Sequence, residues 1–219
     1  MVEVSTSILT IEKGKEAEVF FALEKSKTDY FHIDVMDGKF VEKDTYQQML
    51  EYSSFIKRIS NLPMDVHLMV EDVKTAVEEF SAVEPNIITF HLEACKNKEE
   101  VMEIIKLIKE NGSRVGISVK PDTNIEEIYE YLPYIHTCLI MTVEPGKGGQ
   151  TLITDMLAKI ETLKSHIEKN DIEIDIEVDG GINLKTAQRV KEAGANILVA
   201  GTAILMASDY KVIIDELKE

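Results

Sequence analysis

Histidine and aspartate recur two residues apart in FHIDVMDG, which carries His32 and Asp34, and again in MDVHLMV, which carries Asp65 and His67. IEIDIEVDGG supplies Asp175, Glu177 and Asp179 at the same spacing, and a fourth segment supplies Thr89, His91 and Glu93. Residues two apart share one face of a strand. His32 and Asp34 therefore point one way while Ile33 and Val35 point the other, and Asp65, His67 and Met69 oppose Val66, Leu68 and Val70. Each residue alone has a bland reading, because a single inward His is commonly a hydrogen-bonded interior group and a single Asp at a strand end a cap or loop former. The set is harder to dismiss, since two buried carboxylates side by side are costly unless a cation compensates. His32, Asp34, His67 and Asp179, expected at matching heights, make a two-imidazole, two-carboxylate set suited to one divalent transition metal.

Glycines form a second cluster. PGKGGQ spans Pro145–Gln150, DGGI spans Asp179–Ile182 and AGTA spans Ala200–Ala203. Short loops need glycine for positive φ in any case. Three such loops at one end of a fold favour an anion cradle, because backbone N–H groups can hold a phosphate without Lys or Arg.

The elements that must position these residues follow from periodicity. Short β-branched runs read as strands at Val4–Leu9, Tyr30–Val35, Asp65–Val70, Ile87–His91, Arg114–Val119, Cys138–Val143, Ile174–Val178 and Ile197–Ala200. Helix-like segments lie between them. Val101, Ile104, Ile105 and Ile108 give the clearest stripe; Ala17, Phe20 and Phe21 suggest another in the first helix, and Leu184, Ala187 and Val190 one in the seventh. Strand–helix alternation forces parallel pairing. Eight uninterrupted units, and no GxGxxG after the first strand, favour an α/β (β/α)8 TIM barrel as a single domain over 1–219 rather than an open dinucleotide-binding sheet. The loops after strands seven and eight are the usual phosphate site of such barrels, and the C-terminal strand ends carry their chemistry.

Composition bounds the partners. Across 219 residues, 24 Lys+Arg against 40 Asp+Glu leave a formal net charge of −16, which argues against a nucleic-acid binder. Neither a signal-type segment nor a run near the ~20 apolar residues of a membrane span is read. Cys95 and Cys138 lack CxxC spacing and are expected as reduced thiols in a cytoplasmic protein.

Taken in order, STSIL (5–9), HIDVMDGKFV (32–41), MDVHLMV (64–70), ITFHLEA (88–94), MTVEPGKGGQ (141–150), IEVDGGIN (176–183) and VAGTAI (199–204) carry a family pattern, and the chain resembles ribulose-phosphate 3-epimerases along nearly its whole length. The resemblance implies one divalent cation (Zn²⁺, Fe²⁺, Mn²⁺ or Co²⁺) on His32, Asp34, His67 and Asp179, and sugar contacts from Ser7 and His67. It also implies a phosphate site among Gly146, Lys147, Gly148, Gly149, Gly180, Gly181, Gly201 and Thr202. Met36, Met69 and Met141 match methionines lining the family's metal pocket. A homo-oligomer is implied as well. Lys39, Glu42 and Lys43 replace the usual His, Pro and Asn after strand two, Lys120 replaces Asn before Pro121, and Thr142, Glu144 and Lys147 differ from the pattern after strand six. By the resemblance, these changes fall on loops that contact the sugar.

The implied reaction inverts C3 of a ketose phosphate, D-ribulose 5-phosphate to D-xylulose 5-phosphate, through an enediolate, with Asp34 and Asp179 as the two acid/bases. A 3-epimerase of a hexulose 6-phosphate such as D-allulose 6-phosphate is the first alternative. A decarboxylase or aldol-type synthase is disfavoured because no Asp-x-Lys-x-x-Asp cluster occurs in the chain. A non-catalytic sugar-phosphate binder would require the loop changes to have disabled the site.

Overall fold

The β-branched runs fold as strands and their inward polar residues face one another. In the computed structural model, which describes residues 2–219, the strands are β1 (Glu3–Ser7), β2 (Tyr30–Met36), β3 (Met64–Met69), β4 (Ile87–His91), β5 (Arg114–Val119), β6 (Thr137–Met141), β7 (Asp175–Asp179) and β8 (Ile197–Ala200). The helices are α1 (Glu16–Lys25), α2 (Tyr46–Ile59), α3 (Val73–Ser81), α4 (Lys98–Glu110), α5 (Met156–Lys169), α6 (Ala187–Ala193), α7 (Thr202–Leu205) and α8 (Tyr210–Lys218). Each strand pairs in parallel with its chain neighbours and β1 pairs with β8, closing a (β/α)8 barrel. β4, β5 and β8 begin and end where the sequence predicts, and the other strand ends lie within two residues.

Apolar side chains on the outer faces of the strands pack against the helices. Val101, Ile104, Ile105 and Ile108 of α4 are all buried, as their stripe predicts. The other two predicted stripes are only partly right. In α1 the buried residues are Phe20 and Leu23, while Phe21 is 54% exposed. Leu184 lies before α6 and is 43% exposed, although Ala187 and Val190 are buried. There the Thr186 hydroxyl accepts from the Asn183 N–H and the Asn183 carboxamide from the Lys185 N–H, so side chains hold a turn and delay the helix to Ala187.

The expected helix between β5 and β6 is also missing. Two 3-10 turns, Ile125–Ile128 and Leu132–Tyr134, replace it, and Pro133 in the second has no N–H to continue a helical ladder.

The barrel's lumen is polar. Ser5, His32, Asp65, His67, Thr89, His91, Ser118, Thr137 and Glu177 are all buried. Leu139, Met141 and Val143 form a small apolar cluster separate from the main core. Among the described residues, no helix is long and apolar enough to cross a membrane.

Candidate active site

Strand register decides which polar side chains meet. Asp34 pairs with His67 across β2 and β3, and His32 pairs with Asp65. His32 therefore starts one inward step nearer the N-terminal end than Asp34, not at the expected matching height, and its longer imidazole closes the gap. His32 Nε2 lies 3.4 Å from Asp34 Oδ1, and His67 Nδ1 lies 3.5 Å from the same oxygen and 3.9 Å from Asp179 Oδ2. One donor atom from each of His32, Asp34, His67 and Asp179 lies within 4.8 Å of the others.

These residues fit a divalent cation. Ligands at about 2.0–2.2 Å around a tetrahedral ion stand about 3.3–3.6 Å apart, close to the separations found. His32 Nε2 and His67 Nδ1 are also buried without a hydrogen-bond partner, and buried polar atoms rarely stay unpaired. Both orphaned nitrogens adjoin the two carboxylates.

A second acidic layer lies beneath. Asp65 Oδ2 is 2.6 Å from His32 Nδ1 and accepts from the Ser5 hydroxyl at 2.8 Å. Glu177, fully buried, lies 3.8 Å from His32 Nδ1. His32, Asp65 and Glu177 also cluster like metal ligands. At 2.6 Å, however, Asp65 and His32 share a hydrogen bond and stand closer than two ligands of one ion. This layer orients His32, as carboxylates behind metal-binding imidazoles commonly do.

The electrostatics separate the acidic groups. Burial would raise Asp34, but the imidazole of His32, foremost among its neighbours, outweighs it and holds that carboxyl well below its usual range. Burial and the neighbouring Asp34 push Asp179 up to about 6. Burial and the Asp65 carboxylate raise Glu177 well above its ordinary value. Burial alone would lower His32, yet Asp65 and Asp34 raise it well above the usual imidazole.

On the far side of His67, its Nε2 is 3.0 Å from His91 Nε2, and His91 Nδ1 is 3.1 Å from Glu93 Oε2. The other oxygen of Glu93 accepts from the Lys120 N–H at 2.7 Å and from the Thr123 hydroxyl. Burial pushes His91 down to about 4 despite Glu93. Glu93 lies in a 3-10 turn, Leu92–Ala94, and folds back on His91 rather than extending β4.

Above these residues a cavity of about 270 Å³ opens at the C-terminal end of the barrel, a size for a small ligand, just below the roughly 300–1,000 Å³ usual for drug-sized sites. Ser7, Asp34, Met36, Met69, Met141 and Asp179 line one part of it, and Gly146–Gly149, Gly180–Gly181, Gly201 and Thr202 another. Every expected catalytic and phosphate-loop residue thus borders one space; His32 and His67, fully buried, lie outside its lining. Gly181 has φ +68°, and a Cβ there would lie 2.3 Å from the Leu152 nitrogen. Only glycine fits this close approach. Ser7 donates to Asp34 Oδ2 at 2.7 Å.

Of the lysines that depart from the family pattern, Lys39 is exposed, and Lys147 is exposed with Glu42 Oε2 3.8 Å away. Lys120 Nζ lies 3.9 Å over the Phe40 ring, which packs 4.9 Å from the His91 ring. Sequence reasoning marked Asp65, Glu177, His91 and Glu93 as inward through their period of two, but gave no partner to any of them.

Residues 3–205 match the model of the ribulose-phosphate 3 epimerase family. The chain is 39% identical over 219 residues to a ribulose-phosphate 3-epimerase of Methanocaldococcus jannaschii, covering 100% of this chain and 91% of the relative. It is 38% identical over 219 residues to the enzyme of that name from Bacillus subtilis, covering 100% and 99%. Among solved structures, a 3-hexulose-6-phosphate synthase superposes with a TM-score of 0.71 over 99% of this chain and 98% of that one. At 15% identity, that likeness concerns the fold alone.

Proposed function

This chain belongs to the ribulose-phosphate 3-epimerase family, which makes it a carbohydrate epimerase, and from that premise we propose that it converts D-ribulose 5-phosphate to D-xylulose 5-phosphate by inverting C3. The observation that carries the proposal is the convergence of Asp34 and Asp179 with two imidazoles beside a cavity also bordered by three glycine loops. Inversion next to a ketone requires a proton to leave one face of C3 and another to arrive on the opposite face. Two carboxyls from separate strands suit that task, each alternating between base and acid with the direction of reaction.

A divalent cation held by His32, Asp34, His67 and Asp179 would supply the positive charge that an enediolate needs. The protein's own groups do the rest. Ser7 holds one oxygen of Asp34 and leaves the other free to face the imidazoles. Met36, Met69 and Met141 keep the neighbouring wall apolar, which strengthens charge interactions by excluding water. Backbone N–H groups of Gly146–Gly149, Gly180–Gly181, Gly201 and Thr202 bind the phosphate remotely, and Lys147 borders the same loop. That remote binding energy fixes orientation at C3. In this reading one barrel domain over 1–219 is the catalytic unit of a cytoplasmic homo-oligomer.

Asp34→Asn and Asp179→Asn, made separately, are each expected to lose C3 epimerisation by about 10²- to 10⁴-fold, the scale of general acid–base catalysis. Exchange of solvent deuterium into C3, read together with metal content, checks this. Near-parent turnover in either variant overturns the two-carboxylate scheme. Comparing kcat/KM on the pentulose 5-phosphate and on D-allulose 6-phosphate tests the substrate, and a clear preference for the hexulose would move the assignment to the alternative 3-epimerase.

A further inference from the structure

Behind the four clustered residues His32, Asp34, His67 and Asp179, a hydrogen-bond chain runs from His67 toward the loop after β5, and its donors and acceptors can be assigned by elimination. Both oxygens of Glu93 are committed: Oε1 accepts from the Lys120 N–H and the Thr123 hydroxyl, and Oε2 faces His91 Nδ1 at 3.1 Å. A carboxylate can only accept, so His91 Nδ1 donates. A neutral imidazole carries one N–H and one lone pair, which leaves His91 Nε2 as an acceptor. Its partner is His67 Nε2 at 3.0 Å, and His67 must donate there. The lone pair of a neutral His67 then sits on Nδ1, the buried nitrogen with no hydrogen-bond partner that looks toward Asp34 and Asp179.

We propose that Glu93 and His91 are positioning residues that fix the tautomer of His67, holding its Nδ1 lone pair toward Asp34 and Asp179 before any ion arrives. His32 is oriented by a different device, the direct Asp65 carboxylate at 2.6 Å. For His67 the carboxylate stands one imidazole further away, on another element, and is tied to the β5 loop. Lys159 grips that loop from the other side, donating to the Lys120 carbonyl at 3.0 Å and the Thr123 carbonyl at 2.7 Å. Phe40, from the loop after β2, covers the His91 ring. Two segments at the mouth of the barrel thereby reach the site through His91.

The proposal rests on the metal reading above, and its test separates the two. In the metal-free parent, ¹⁵N NMR of the histidine rings should find His67 protonated on Nε2 and His91 on Nδ1. Zn²⁺ affinity, measured by competition with a chelator, should fall about 10- to 100-fold in His91→Phe, the range for losing such a partner of a ligand. It should recover in part in His91→Gln, whose carboxamide oxygen can accept from His67. If His91 acts through shape alone, the aromatic replacement will do as well as or better than the amide.

Parent-like Zn²⁺ affinity in His91→Phe, or a parent His67 protonated on Nδ1, overturns the proposal, and the parent spectrum decides even if a variant does not fold. A parent that shows the expected tautomers yet takes up no Zn²⁺ overturns the metal reading while supporting the relay.

Discussion

Ser7 makes one contact of consequence, a 2.7 Å hydrogen bond from its hydroxyl to Asp34 Oδ2. A bond from a neutral donor to a charged group is worth about 1.5–3 kcal/mol, and about 1.4 kcal/mol is a factor of ten in rate. Ser7→Ala is therefore expected to lower kcat/KM by about tenfold or more while leaving metal content at the parent level. Steady-state kinetics beside metal analysis checks this, and unchanged kinetics would remove Ser7 from the site. The same residue shows what a sequence can disclose at this scale. That Asp34 and Asp179 would share one end of the barrel followed from alternation, and that Ser7 would join them followed from the family resemblance. That Ser7 would bond Asp34 depended on how β1 and β2 register, Ser7 opposite His32, and no local pattern encodes that. His91 and Glu93 were visible only as inward polar residues for the same reason, since their partners lie on β3 and in the β5 loop.

Where strands meet their connecting loops, local cues and tertiary contacts compete. β4 was legible to the residue, because Ile87–His91 is a short β-branched run, and α4 was legible in its buried face, because Val101, Ile104, Ile105 and Ile108 recur at helical spacing. The β5–β6 connection was not, because the proline that breaks it counts for more than the apolar spacing around it. The end of that connection supports a pH prediction. His136 Nδ1 accepts from the Val115 N–H at 3.1 Å, while its own backbone bonds to Val115 and Asp175 and so ties β5, β6 and β7 together. Burial, then the charges of Arg114 and Lys109, lower its pKa below the ordinary 6.5, with Asp175 opposing. Because the folded value is the lower one, the unfolded chain takes up the proton first as pH falls. The contribution of His136 is full above about pH 6.5 and declines below it. Urea midpoints of the parent and His136→Gln should differ most at pH 7.5, and the gap should narrow at pH 5.5. An equal gap at both pH values would contradict this account.

At the scale of the whole molecule, the formal charge of −16 and the buried acids of the lumen pull in one direction. Self-repulsion favours expansion, and a cation at the centre relieves the part of it that solvent cannot screen. Adding Zn²⁺ to the metal-free protein at about a hundred times its dissociation constant should stabilise the fold by about 2.7 kcal/mol. For a chain of this size that is a rise in Tm of roughly 5–11 °C. Differential scanning with and without chelator measures it, and an unchanged Tm would count against an ion at this position.

The polar lumen has a consequence for how this protein can change. Most enzymes could in principle grow sturdier by greasing their centre, trading a serine or an acid for a leucine. Here Ser5, Asp65 and His91 sit directly behind the imidazoles at the reacting end of the cylinder, so trading them for leucine would unseat the catalyst. Adaptation to heat or cold is left to the outer wall, where helices meet strands and nothing reacts.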